Sequence, residues 1–218
     1  TKDRILGAAE ALFALHGFAG TSLRQVTAQA DVNIAAVNYH FGSKENLVNE
    51  VFRRRMDEMT AARMTQLDAA RATQPGDLRA VLAAFVEPAL AMAQDRQSGG
   101  AFVRVIARAY AEKNDSLRTF LSDHYGHVLR DFGKAIAACV PELSKEELYW
   151  RLDFLAGSLT YAMADFGLIK RPAGVSEANH RAQAARELIH FAEAGFRAAA
   201  RNTSAPAANG ARQTLSTQ

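Results

Sequence analysis

The 218-residue sequence predicts an all-α protein. Three observations carry that expectation. Alanine, the strongest helix former, recurs along the whole chain, and only five prolines interrupt it. Apolar side chains return at every third or fourth position, and β-branched residues seldom alternate with polar ones in the way a half-buried strand requires. With 49% apolar and 22% charged residues, the chain has material for a sizeable core, and its length suits one large or two small domains. The single cysteine, Cys139, excludes an internal disulfide and a multi-cysteine metal cluster, which favours a reducing cytoplasm. No apolar run reaches the roughly 18 residues that span a bilayer, and the opening TKDRILGAAE is too polar for a signal peptide. The expectation is a cytoplasmic protein without a membrane partner.

The first helix spans residues 2–16, where Ile5, Ala8, Ala9, Leu12, Phe13 and His16 keep helical spacing, and Gly17 stops it with Phe18 as its apolar partner. Ser22 opens the second as N-cap, Gln25 completes a capping box, and Leu23, Val26 and Ala30 turn inward. Asn33 caps the third, which points Ile34, Val37 and Phe41 at the core until Gly42 ends it. Ser43 caps a long fourth helix through Leu47, Val51, Phe52, Met56 and Met59 to about Arg71, before the turn Gln74-Pro75-Gly76. Further helices are expected at about 77–95, 100–112, 115–139, 144–167 and 177–201, with Pro88 marking a break or kink in the first of them. Residues 202–218 hold one large apolar side chain, Leu215, and are expected to be a disordered tail. The division is a head over 1–46, a body over 47–201 and the tail.

Two short helices joined by a tight turn behind a supporting helix form a helix-turn-helix, whose second helix enters the DNA major groove. With Ile34, Val37 and Phe41 inward, helix three turns Asn33, Ala35, Ala36, Asn38, Tyr39 and His40 outward. These residue types suit a reading face: Asn bonds the adenine edge in a bidentate way, Ala packs on a thymine methyl, and Tyr and His reach phosphate oxygens. Ser22, Arg24 and Lys44 complete the expected DNA-binding set, although Arg24 also suits a surface ion pair. Residues 1–52 carry Lys2, Arg4, Arg24 and Lys44 against Asp3, Glu10, Asp31, Glu45 and Glu50, a net charge of −1. Phosphate binding then falls to a few placed groups and to helix N-termini.

The stretch Gly17-Phe18, Thr21-Ser22-Leu23-Arg24-Gln25-Val26, Asp31-Val32-Asn33 and, above all, Ala35 to Leu47 (AAVNYHFGSKENL) resembles the TetR family of bacterial transcriptional regulators over about residues 4–50. AAVNYHFGSKENL and Leu148-Tyr149-Trp150-Arg151 also resemble its fatty-acid-responsive members. The sequence departs from the family pattern where many members have Tyr at Asn38, Gly at Asp31 and Ser at Asn33. The first departure implies a different base preference; Asp and Asn tolerate the left-handed turn and the cap at the other two.

The resemblance implies a dimer whose body holds a small-molecule effector. The region 144–167 is apolar on nearly all sides, which demands burial on nearly all sides, both in its own core and against a second subunit. Leu152, Leu155 and Leu159, with Leu188, Ala192 and Gly195 of the last helix, are the expected dimer interface. Phe102, Tyr110, Phe120, Phe132, Phe154 and Tyr161 are the aromatic candidates for an apolar effector cavity, with Arg108, one turn after Arg104, to meet a carboxylate. His124 and His127 stand near Asp123 and Asp131, but no ligand converges from another segment, so no metal or other cofactor is expected. GxSxG, Walker, HExxH and GxGxxG patterns are absent, and no carboxylate pair suggests acid–base work. The expected function is a homodimeric regulator, a repressor that an apolar effector releases from a double-stranded, pseudo-palindromic operator, and not an enzyme. An all-α lipid carrier or enzyme without a DNA role is the alternative.

Overall fold

A computed structural model describes residues 1–93, 99–164 and 169–200, so the expected tail over 202–218 lies outside the described residues. Among the described residues there are nine helices and no strand: α1 Lys2–His16, α2 Leu23–Ala30, α3 Ile34–Phe41, α4 Lys44–Thr73, α5 Leu78–Ala93, α6 Gly99–Glu112, α7 Asp115–Cys139, α8 Lys145–Met163 and α9 Glu177–Arg197. Their starts are written locally. Ser22, Asn33, Ser43, Asn114, Ser144 and Ser176 each accept the backbone N–H three residues on, which satisfies a donor the helix itself leaves orphaned. Each such cap contributes about 1 kcal/mol. Gly17 and Gly42 end α1 and α3 with φ of 74° and 73°, a conformation that costs a side-chain-bearing residue 1–2 kcal/mol or so.

Two hydrophobic cores meet along α4. The head core gathers Phe13, Phe18, Val26, Val37, Phe41, Leu47 and Phe52 with Phe102 of α6 and Leu117 and Phe120 of α7. The body core gathers Leu67 with Leu82 and Phe85 of α5, Phe132 and Ile136 of α7, the leucines of α8, and Ile189 and Phe196 of α9. Helix α4 therefore supplies one core with its first half and the other with its second.

Three expectations need correction. Pro88 neither breaks nor ends α5, which runs through it. This helix packs on α4, α6, α7, α8 and α9 and is apolar on most of its surface, so tertiary burial outweighs the local preference. The centre of the body is thus α5 rather than α8, which buries one stripe, Leu148, Leu152, Leu155, Leu159 and Met163. His16, placed on the inward face of α1 by its spacing, is exposed at the helix end.

Candidate nucleic-acid interface

The turn between α2 and α3 is made by Asp31, whose backbone is left-handed (φ 50°, ψ 56°) and whose N–H closes onto the carbonyls of Thr27 and Ala28. That turn sets α3 across the head, anchored by buried Val37 and Phe41. Outward stand Ala35, Asn38, Tyr39 and His40; Tyr39 is 85% exposed and its ring meets that of His40 edge-on at 5.1 Å. Ala36 is half-buried against the head core. Ile34 departs from expectation. It is 45% exposed, because it sits in the first turn of α3, one turn short of Val37, where the helix end carries it past its packing. The outward face thus has an apolar element that periodicity had assigned to the core.

Not every expected contact residue is uncommitted. The Asn33 side-chain oxygen accepts the Ala36 N–H at 2.9 Å, leaving its amide N–H groups for other partners. The Ser22 hydroxyl accepts from the Gln25 N–H at 3.3 Å and donates to the Gln25 side chain at 2.9 Å. Lys2 pairs with Glu50 at 3.0 Å, and Arg4 approaches Asp31 at 3.8 Å. The head's cations are thereby reduced chiefly to exposed Arg24 and half-buried Lys44, which opens α4 where the helix N–H groups favour an anion.

Behind the reading face, α6 grips the end of α1. Glu112 accepts the N–H of Phe18 at 3.0 and 3.1 Å and that of Ala19 at 3.0 Å, and Arg108 donates to the Leu15 carbonyl at 3.1 Å. One turn apart on α6, these side chains satisfy both donors and acceptors left open where α1 stops. Gly17 makes the approach possible: besides its positive φ, a Cβ there would lie 2.1 Å from a Glu112 carboxylate oxygen. A row of rings runs beneath, Phe13 to Phe18 at 5.3 Å, Phe18 to Phe52 at 6.4 Å and Phe52 to Phe102 at 5.4 Å. Sequence reasoning missed this clasp, since its partners lie more than ninety residues apart.

The structure does not bring the expected effector residues together. Phe102 lies in the head core against Phe52, Phe120 in the same core under the Arg53 guanidinium, and Phe132 in the body core. Phe154 and Tyr161 are 60% and 50% exposed, and Arg108 lies in the clasp, donating to the Leu15 carbonyl. The Tyr110 side chain is outside the described features. A cleft of about 270 Å³ between the end of α4, α5 and α7 is lined by Val81, Ala135, Ala138 and Cys139, and by none of these seven. Among the described residues, no three His, Cys, Asp or Glu side chains gather as a metal site would require.

The expected dimer residues are likewise divided. Leu152, Leu155 and Leu159 are buried in their own subunit's core, and so is Ala192, because that stripe faces α5 and α9. The other side of α8 carries Trp150, Phe154 and Tyr161 exposed, with Trp150 and Phe154 rings 5.9 Å apart. Beside it α9 exposes Phe191 and Gly195 and half-exposes Leu188. Positions 150, 154, 157 and 161, like 184, 188, 191 and 195, step by four, three and four, the seam spacing of packed helices. Gly157 and Gly195 on these seams have open space where a Cβ would stand. Arg151 ties the two helices, donating to the carbonyls of Gly195 (2.8 Å), Phe196 (3.0 Å) and Ala198 (2.8 Å) at the end of α9.

Comparison with known proteins agrees with both halves. Residues 5–51 match the family model for bacterial regulatory proteins of the tetR family, and residues 83–195 that for the tetracyclin repressor-like C-terminal domain. A probable HTH-type transcriptional regulator of Bacillus subtilis, YttP, is 45% identical over 56 residues, 24% of this chain and 27% of that protein, so the match spans about a quarter of the relative's length. A TetR-family regulator structure from Shewanella sp. PV-4 superposes with a TM-score of 0.62 at 21% identity, covering 89% of this chain and 95% of the other. A transcriptional regulator from Saccharomonospora viridis, solved with choline, superposes at 0.58 with 21% identity over 87% and 95%. At these identities the likeness is one of fold.

Proposed function

The chain belongs to the TetR family of bacterial regulatory proteins, and from that premise we propose that it is a homodimeric repressor, released from a pseudo-palindromic operator by a small, mainly apolar effector. The observation that carries the reading is the double engagement of the head by the body: α4 is shared by both cores, and α6 clasps the end of α1. A shift of α4 or α6 on effector binding would therefore turn α3 with it. Two heads reading successive major grooves must stand roughly 34–36 Å apart, so a small rotation in each subunit suffices to spoil the fit. The seams of α8 and α9 supply the self-complementary surface that a two-fold dimer needs.

In the DNA complex Asn38 reads a base edge, Ala35 and Ile34 pack on thymine methyls, and Tyr39, His40, Arg24 and Lys44 meet phosphates. Ser22 and Asn33 position backbone N–H groups at the starts of α2 and α3. Among the described residues no helix is long and apolar enough to cross a membrane, which accords with a cytoplasmic regulator.

The test is selection of bound genomic fragments by the purified protein, followed by titration of the recovered operator with fatty acids, acyl thioesters and aromatic compounds, with thermal shift in parallel. An effector at about 100 times its dissociation constant, binding only the released state, shifts the equilibrium by about 2.7 kcal/mol, two decades of operator affinity. Compounds that raise the melting temperature while leaving operator affinity unchanged would remove the release mechanism, and a fragment set without a two-fold repeat would remove the dimeric reading.

A further inference from the structure

Among the described residues, the body core contains a charge that meets no counter-charge. Arg63, in the second half of α4, is 7% exposed, and its guanidinium lies 4.0 Å from the centre of the Phe85 ring. Its Nε donates to the Phe85 carbonyl at 2.9 Å. A guanidinium carries five N–H donors, and this is one of them. No carboxylate among the described residues pairs with it, whereas buried Arg55, two turns earlier on the same helix, meets Glu10 at 3.3 Å. Burial alone lowers the Arg63 pKa to about 10, with no neighbouring acid raising it again. An unpaired buried cation is among the least favourable elements a core can hold, and a hydrophobic replacement of similar size is often neutral or stabilising.

The surroundings are those of a core able to rearrange. All five methionines of the chain, Met56, Met59, Met64, Met92 and Met163, pack in or against the body core that contains Phe85. Met59 stands one turn before Arg63 on α4. Methionine is unbranched and polarisable and fits irregular shapes, so a core built from it can open around a guest at low cost. The Phe85 ring, covered on one face by the guanidinium, meets Phe132 edge-on at 5.1 Å, so flat apolar surfaces lie beside the charge.

We propose that Arg63 is the anchor for a carboxylate-bearing effector, whose carboxylate pairs with the guanidinium while its apolar body lies among the methionines, Phe85 and Phe132. This rests on the effector reading above and narrows it to a chemical class. It also transfers the carboxylate-binding role from Arg108, which the clasp occupies, to a residue that periodicity left unremarked. Binding at Arg63 would act directly on the body half of α4, the helix that both cores share.

The experiment uses the full chain and two pairs of probes, octanoate with methyl octanoate and phenylacetate with methyl phenylacetate. On the parent protein the acids should raise the melting temperature more than their esters, with dissociation constants roughly ten- to a hundredfold lower for at least one pair. Arg63→Met should abolish that preference, and its ligand-free melting temperature should equal or exceed the parent's. Arg63→Lys, which keeps the charge but not the planar fork, should retain a weakened preference and keeps the test decisive if the methionine variant folds poorly. An acid shift no larger than the ester shift, a preference that survives Arg63→Met, or a lower ligand-free melting temperature in a folded Arg63→Met overturns the assignment. Operator affinity, read in the same titrations, separates the two readings. Arg63-dependent acid binding that leaves the operator bound removes the release mechanism and keeps the anion site; equal release by acid and ester does the reverse.

Discussion

Arg55 and Arg63 are two buried arginines on one helix, and the regions that hold them treat the charge oppositely. Beside the head core, Arg55 is matched by the Glu10 carboxylate across α1 and α4. In the body, Arg63 has a carbonyl and an aromatic face. A buried ion pair fixes one arrangement, since removing either member takes a counter-charge from the other. An incomplete one leaves part of the binding energy to be supplied from outside. On the proposed function, the charge that has a counter-charge lies beside the face that must stay rigid, and the one that meets no carboxylate among the described residues lies in the body that would respond to a ligand.

The largest expected effect sharpens the contrast between the two sides of α8 within the body. Leu159→Glu places an unpaired charge in the buried stripe and should cost more than about 4 kcal/mol, seen as loss of cooperative unfolding in urea. Phe154→Glu, on the exposed seam five residues earlier, should leave protomer stability within about 0.5 kcal/mol and convert dimers to monomers in sedimentation. A dimeric Phe154→Glu protein would relocate the interface.

Next comes the head's buried pair. Glu10→Ala should cost about 3–5 kcal/mol in urea denaturation, because Arg55 keeps its burial and loses its carboxylate. Against the neutral or stabilising Arg63→Met, this is the direct measure of the difference between the two regions. Equal losses in both variants would erase it.

Smaller effects are expected at the reading face. Asn38→Ala should lose about 1–3 kcal/mol at one operator position and relax specificity there, while Lys44→Ala weakens all sequences alike and lowers the salt slope by about one. Fragment selection at two salt concentrations distinguishes them. A modest loss of stability is expected at the clasp. Glu112→Gln keeps one acceptor oxygen for the Phe18 and Ala19 N–H groups and should cost about 1–2 kcal/mol, yet reduce the effector's influence on operator affinity. Unchanged coupling in that variant would leave α4 as the sole connection.

Much of the head was legible because its determinants are short-range. The capping box of Ser22 and Gln25, the Asn33 and Ser43 caps and the glycine stops act within three or four residues of the helix ends they define. The outward side of α3 followed from them, save for Ala36, which is half-buried, and Ile34, where the end of a short helix carried an inward-phased side chain out of its packing. The body was legible as helices and less so as a site. Its aromatic residues were correctly placed on helices, but composition does not say which core a phenylalanine joins, and Phe102 and Phe132 joined different ones.

By itself the sequence determined where most helices begin and end and that the first three make a helix-turn-helix. Those properties reside in hydrogen bonds and steric limits between near neighbours along the chain. Tertiary structure decided which side of α8 is inward, that Pro88 lies inside the central helix, that Arg108 and Glu112 hold the head, and that Arg63 is buried with no acid among the described residues beside it. Each depends on residues brought together from far apart in sequence, 94 positions in the case of Phe18 and Glu112. Such contacts form only when the whole chain has closed around them, so their partners are set by the packing of the entire body and not by any local pattern.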